Sequence, residues 1–102
     1  MHQVVLNGCC GGFSLSREAC EALQALGVDV DSDYDGDGYL YDVPRHDPRL
    51  VQVVQNLGFH RASGSTACLY VETIPGNRYR IEEYDGRETL HTPEDIRWTV
   101  IE

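Results

Sequence analysis

The chain contains no lysine. Its eight basic side chains are all arginine, and they stand against seventeen aspartates and glutamates in 102 residues. The absence of an amine excludes Schiff-base chemistry and the phosphate-binding lysine of a P-loop. The use of arginine at every basic position has two explanations. Either the gene is GC-rich in its codon usage, or the protein uses planar guanidinium groups to hold carboxylate or phosphate groups.

Net positive charge, long apolar runs and paired cysteines are also missing. The formal net charge of −9 argues against partners such as polymeric nucleic acid or an anionic membrane, because both require a basic surface. No apolar run approaches the ~18–20 residues of a membrane span, and no leader-like segment opens the chain. The four cysteines lack C-x-x-C spacing, which argues against a zinc site and favours reduced thiols in a cytosolic compartment.

The length and the patterning that are present predict one domain over residues 1–102. An apolar run at residues 3–7 is typical of a buried strand. Pro-Gly-Asn at 75–77 predicts a hairpin between the strands on either side of it, Asp-Gly at 85–86 predicts a tight turn, and 61–65 predicts a polar connector. Segments with a period of two predict further strands at 39–43, 67–74, 78–84, 87–91 and 97–101.

Two helices are predicted from the signals at their ends. Ser14 or Ser16 caps the first helix, which stops at Gly27. Asp47 caps the second helix, proline occupies its first position, and Gly58 follows its last turn. The expected fold class is therefore α+β, with both helices packed on one face of a mainly antiparallel sheet.

The segment from Asn7 to Ser16 reads Asn-Gly-Cys-Cys-Gly-Gly-Phe-Ser-Leu-Ser. It resembles the signature Asn-x-Cys-Tyr-Gly-Gly-Phe-x-Leu-Ser of a family of small, mostly uncharacterised proteins of tailed phages and large DNA viruses, with Cys10 in place of the tyrosine. Two further blocks, 44–51 and 81–86, are also similar to the family. The C-terminal part of the chain after Gly86 differs more from it. The resemblance implies a viral accessory protein that acts in the host cytoplasm, and it implies no particular reaction.

The glycine turn before the first helix is a candidate binding site. Glycines let backbone N–H groups approach a ligand, and the helix N-terminus that follows attracts phosphate or carboxylate. Arginines near the second helix can pair the same anion bidentately. Chain reversal between a strand and a helix requires the same glycines, so a purely structural role is the alternative. The predicted ligand residues are Gly11, Gly12, Phe13, Ser14, Ser16, Arg45, His46 and Arg49.

The acidic segment 31–42 offers a Ca²⁺ or Mg²⁺ site as a second interpretation. An EF-hand loop places oxygen ligands at positions 1, 3, 5, 7, 9 and 12 and glycine at position 6. The chain matches positions 1, 3, 5, 6 and 12, but position 8 is glycine and the next segment predicts a strand in place of a helix. A solvated acidic loop also explains the pattern, and it is the interpretation that we favour. The metal candidates are Asp31, Asp33, Asp35, Asp37 and Asp42.

Candidates for catalysis are sparse, and none lies in a motif such as G-x-S-x-G. They are the bases His46, His60 and His91, the hydroxyls of Ser63 and Ser65, and the thiols. A thiol- or histidine-dependent hydrolase is therefore a third interpretation. We expect a non-enzymatic accessory protein without a cofactor, which binds a small anionic or nucleotide-like ligand or a host protein. A role against host defence follows only by analogy with other small phage proteins, and a homo-oligomer is compatible with the sequence.

Overall fold

A computed structural model describes residues 2–32, 37–40, 42–93 and 101. They form one α+β domain, as predicted, with three helices and antiparallel strands. Of the helices described, none has both the length and the apolar character needed to cross a lipid bilayer. In chain order the elements are β1 (His2–Asn7), α1 (Arg17–Ala25), β2 (Asp31–Ser32), β3 (Gly38–Tyr39), α2 (Pro48–Leu57), α3 (Phe59–Ala62), β4 (Leu69–Ile74), β5 (Arg80–Tyr84) and β6 (Arg87–His91).

The centre of the fold is an antiparallel ribbon of β1 and β4, in which Val5 lies opposite Val71. Val5 packs into a core that it shares with α1 and α2. Its neighbours Val4 and Leu6 belong to a second apolar cluster. Because successive side chains of a strand point to opposite faces, an unbroken apolar run is what a strand covered on both faces requires.

The two long helices cover one face of this ribbon, and both begin and end where the local signals predict. Ser16 caps α1 by accepting the N–H of Ala19 at 3.1 Å. Asp47 caps α2 through the N–H of Arg49, and a proline occupies the first turn. Gly58 ends α2 with a φ of 87°, a left-handed conformation that glycine adopts without steric cost.

The hairpin of β5 and β6 lies against the second apolar cluster, on the other face of the ribbon. Its turn residues, Asp85 and Gly86, have φ angles of 53° and 87°, as a two-residue turn between twisted strands requires. Leu90 of β6 packs with Leu6 and Ile74 in that cluster. The order of layers is therefore helices, central ribbon and hairpin, which places the ends of β1 next to three different elements.

The pairing of the strands corrects one prediction. The predicted hairpin at 75–77 is wrong, because β4 pairs with β1 and β5 pairs with β6. The reason is that β4 has the apolar side chains that the buried β1 needs, whereas β5 is mostly exposed. Within the described residues the strands form three two-stranded sheets. The predicted strand at 39–43 is reduced to β3, and α3 occupies the start of the connector at 61–65. Predicted strand 97–101 lies outside the described residues except for Ile101.

Candidate functional site

The glycine turn of residues 8–12 is packed closely against the protein itself. A Cβ on Gly11 would lie 1.8 Å from the carbonyl oxygen of Thr66, and a Cβ on Gly86 would lie 2.6 Å from the nitrogen of Gly12. Thr66 also donates its hydroxyl to the Gly11 carbonyl at 3.1 Å. These contacts give Gly11 a structural role, and the anion site at this turn stays a prediction.

Asn7 holds the turn in place and is the buried polar centre of this end of the fold. Its amide nitrogen donates to the carbonyl oxygens of Cys9 and Gly86, each at 2.7 Å. Its side-chain oxygen accepts the N–H of Cys68 at 2.8 Å. Asn7 is fully buried, so one side chain supplies the hydrogen bonds that join β1, the start of β4 and the β5–β6 turn.

Arg45 and Phe13, both in the predicted ligand set, do lie together. The Arg45 guanidinium stacks over the Phe13 ring at 3.6 Å and pairs bidentately with Glu88 of β6, at 2.7 and 2.8 Å. Glu88 is buried and also accepts the N–H of Asn7 at 2.9 Å. The carboxylate that faces Arg45 is therefore the protein's own. Glu88 was missed, although the alternation of β6 places it on the same inward face as Leu90.

The remaining residues of the predicted set are spread over separate places. Ser14 is buried, and its hydroxyl oxygen lies 2.0 Å from the position that a Cβ on Gly64 would take; within the described part of the chain it has no hydrogen-bond partner. Ser16 caps α1 and donates to the Arg61 carbonyl at 2.6 Å. Arg49 pairs with Asp47 at 2.9 Å. These three residues therefore have separate contacts within the protein, and the ligand-binding role of the eight residues stays a prediction.

His46 lines a groove between the start of β1 and α2. The groove has a volume of about 320 Å³, and a cavity of about 80 Å³ adjoins it, since His2 and His46 line both. Nδ1 of His46 lies 2.7 Å from the hydroxyl of Tyr79, and the two rings meet edge to face. Burial raises the pKa of Tyr79, so its hydroxyl stays protonated at neutral pH and is available as a donor.

Neutral hydrogen-bonding groups dominate the lining of this groove. Gln52, Gln55 and Asn56 extend from one face of α2, and Gln3 extends from β1. The chain has seventeen acidic residues, yet among the described residues none contributes a carboxylate to the lining of either cavity. A polar or anionic ligand therefore finds donors and acceptors here without a carboxylate beside it.

The described residues of the acidic segment lie in two environments. Asp31 and Asp42 line a separate cleft of about 560 Å³. Asp37 turns inward and accepts the N–H and hydroxyl of Ser65, at 3.1 and 2.6 Å. Asp33 and Asp35 lie outside the described residues. No group of three metal-binding side chains occurs in the part of the chain that the structure describes, and the cation site stays a prediction.

The candidate nucleophiles and bases mostly have structural partners. Ser63 donates its hydroxyl to the Phe59 carbonyl and accepts the N–H of Leu69. The hydroxyl of Ser65 donates to Asp37. His91 lies 2.7 Å from a carboxylate oxygen of Glu82 on the exposed hairpin. None of these contacts joins a nucleophile to a histidine, which is the arrangement that a hydrolase would need.

Comparisons of this chain with family models, with curated proteins and with solved structures find no match. The groove of His2, His46 and α2, which we call the histidine groove, is smaller than the cleft of Asp31 and Asp42, but its polar lining consists of neutral amide and imidazole side chains in place of carboxylates.

Proposed function

We propose that this protein acts by binding a small nucleotide-like ligand in the histidine groove. The observation that supports the proposal is a groove of about 320 Å³ that is lined by amide and imidazole side chains together with the apolar Pro48 and Val51. That volume is at the lower end of the roughly 300–1,000 Å³ typical of small-molecule sites. It suits one nucleoside or nucleotide better than a polymer.

The chemistry of the groove matches such a ligand in two ways. Side-chain amides present a donor and an acceptor together, as the edges of nucleobases do, so Gln52 and Gln55 can pair with a base. The adjoining rings of His46 and Tyr79 offer an aromatic edge and face, and the imidazole N–H groups of His2 and His46 can donate hydrogen bonds to a phosphate. Arg45, which pairs with Glu88, is not needed for this binding.

The biological setting of the proposal comes from the resemblance of the Asn7–Ser16 segment. We propose a phage accessory protein of the host cytoplasm that acts without catalysis, for example by holding a nucleotide-like signal away from a host defence system. A host protein is the other partner that the sequence suggested. The charge of −9 supports a single small ligand over polymeric nucleic acid, because one ligand needs no extended basic surface.

The test is a titration of the intact protein with adenosine 5′-monophosphate, guanosine 5′-monophosphate and adenosine. Binding is measured by calorimetry and by the NMR chemical shifts of the backbone amides. We expect the largest shifts in α2 and at the start of β1. Gln55→Ala should weaken binding about fivefold to tenfold, the effect of one lost hydrogen bond of ~1 kcal/mol.

Gln24→Ala is the matched control, because Gln24 lines the cleft of Asp31 and Asp42 and not the histidine groove. It should bind as the parent protein does. Shifts confined to that other cleft, equal losses in both variants, or no binding of the three probes at millimolar concentration would each contradict the proposal. If the parent protein binds the two monophosphates but not adenosine, the phosphate is the group that it recognises.

A further inference from the structure

Two of the four cysteines lie next to each other at the end of the β1–β4 ribbon that is distant from the histidine groove. The N–H of Gly8 donates to the carbonyl of Cys68 at 2.9 Å, so the two chain segments are still adjacent one residue beyond the strands. The side-chain oxygen of Asn7 accepts both the N–H of Cys68 at 2.8 Å and the thiol of Cys9 at 3.5 Å. The Cys9 thiol also donates to the carbonyl of Thr66, two residues before Cys68, at 3.1 Å.

We propose that Cys9 and Cys68 are a peroxide-sensitive thiol pair that forms a reversible disulfide. Cys9 is half-buried and Cys68 is exposed, so an oxidant can reach both. The bond would join the turn after β1 to the start of β4, two segments that the backbone already holds side by side. It would close a covalent loop between residues that are far apart in the chain.

The surroundings of the two thiols give them different roles. The neighbouring Cys68 side chain lowers the pKa of the Cys9 thiol, and the backbone of Gly11 lowers it further. The same contact raises the pKa of Cys68. Since the thiolate is the nucleophilic form of cysteine, Cys9 is the thiol that reacts with the oxidant first and Cys68 is the resolving thiol.

The chemistry balances with hydrogen peroxide as the oxidant. The thiolate of Cys9 attacks one peroxide oxygen, the O–O bond breaks, and the products are a sulfenic acid on Cys9 and hydroxide. The sulfur of Cys68 then attacks the sulfenic sulfur, an S–S bond forms as the S–O bond breaks, and the sulfenic oxygen leaves as water with the proton that the Cys68 thiol gives up. In total, the two thiols lose two electrons, and the peroxide gains them and becomes one hydroxide and one water.

The other two cysteines serve as internal controls. Cys20 is 5% exposed in the core, and burial raises the pKa of its thiol, so it should stay reduced. Cys10 is exposed but is the direct chain neighbour of Cys9, and a disulfide between adjacent residues would be strained. Cys10 is therefore a competitor for oxidant rather than a partner for Cys9.

Peptide mapping tests the proposal directly, because trypsin cuts this lysine-free chain only after arginine. Cys9 and Cys10 fall in peptide 1–17, Cys20 in 18–45 and Cys68 in 62–78. After peroxide treatment, alkylation of the remaining thiols and non-reducing digestion, we expect a cross-link between 1–17 and 62–78. It should persist in Cys10→Ser, disappear in Cys9→Ser and in Cys68→Ser, and be reversed by dithiothreitol.

Thermal unfolding supplies a second readout. The oxidised Cys10→Ser protein should melt higher than its reduced form by an amount on the order of 10 °C, because a long closed loop restricts the unfolded chain. Oxidised Cys68→Ser, changed at an exposed position, should show no such rise. Cross-links to 18–45, an undiminished cross-link in Cys9→Ser, or a sulfinic acid on Cys9 with Cys68 still free would overturn the proposal.

Discussion

Replacing Asn7 by aspartate tests the hydrogen-bond network at the centre of the polar end. The substitution preserves the shape and the acceptor that binds the N–H of Cys68, but it removes the donor that serves the carbonyls of Cys9 and Gly86. In the variant, a carboxylate oxygen takes the place of the amide nitrogen, about 2.7 Å from each of these two carbonyl oxygens. Asn7→Asp therefore isolates the donated hydrogen bonds from the packing of the side chain.

The magnitude follows from the number of groups left without a partner. A buried group that loses its hydrogen bond costs about 1–3 kcal/mol. Two carbonyls are affected, and both belong to half-buried residues that water partly reaches, so the lower end of the range applies. We expect a loss of about 3 kcal/mol in the free energy of unfolding at pH 7, a large fraction of the ~5–15 kcal/mol typical of a domain.

The loss should also depend on pH, because the new carboxyl is fully buried. Burial disfavours its ionised form and raises its pKa in the folded state above the unfolded value of about 3.9. Below that value the carboxyl is protonated in both states and can donate one hydrogen bond. As the pH rises, the unfolded chain ionises first, so the destabilisation of Asn7→Asp should be smallest near pH 4 and grow toward pH 8.

Urea unfolding followed by far-UV circular dichroism measures both effects. Asn56→Asp is the matched control, because Asn56 is exposed on α2 and its change should cost about 0.5 kcal/mol or less. If Asn7→Asp and Asn56→Asp unfolded at the same urea concentration, or if the deficit of Asn7→Asp shrank from pH 4 to pH 8, the central role of Asn7 would be refuted.

Three further predictions concern neighbouring parts of the fold. A double-mutant cycle of Arg45→Met and Glu88→Gln should show a coupling of about 1–3 kcal/mol in urea unfolding, because the paired groups are largely buried; additive losses would contradict the bidentate pair. Gly11→Ala should cost about 3 kcal/mol, because its Cβ would meet a backbone oxygen at 1.8 Å; a melting temperature equal to that of the parent protein would show that the turn has room for a ligand. The hydrogen bond from Arg49 lowers the pKa of Asp47 in the folded protein. The stability that Asp47 adds should therefore be present above its unfolded pKa and be lost as the pH falls through its folded pKa. We expect the free energies of unfolding of Asp47→Ala and of the parent protein to become equal in acid. A constant difference between them from pH 7 to pH 2 would rule this out.

Local signals were sufficient for the helices, the first strand and one turn. Ser16 and Asp47 cap α1 and α2, and Gly58 ends α2, because capping depends on hydrogen bonds within one helical turn. Asp85 and Gly86 form the predicted tight turn because the positive φ angles of such a turn depend on which residues occupy its two positions and not on distant contacts. Glu88 was also within reach of sequence reasoning, since a charged residue in register with Leu90 indicates a buried partner.

The partners of these elements depend on contacts between distant parts of the chain, which no local pattern encodes. Packing against both faces decides that β1 pairs with β4 and not with a nearer strand, and this pairing brings Cys9 beside Cys68. The same packing places His2 beside His46 at the other end of the ribbon. Core burial selects among many strand registers that are equally compatible with the local pattern, so the histidine groove and the thiol pair exist only once the layers have assembled.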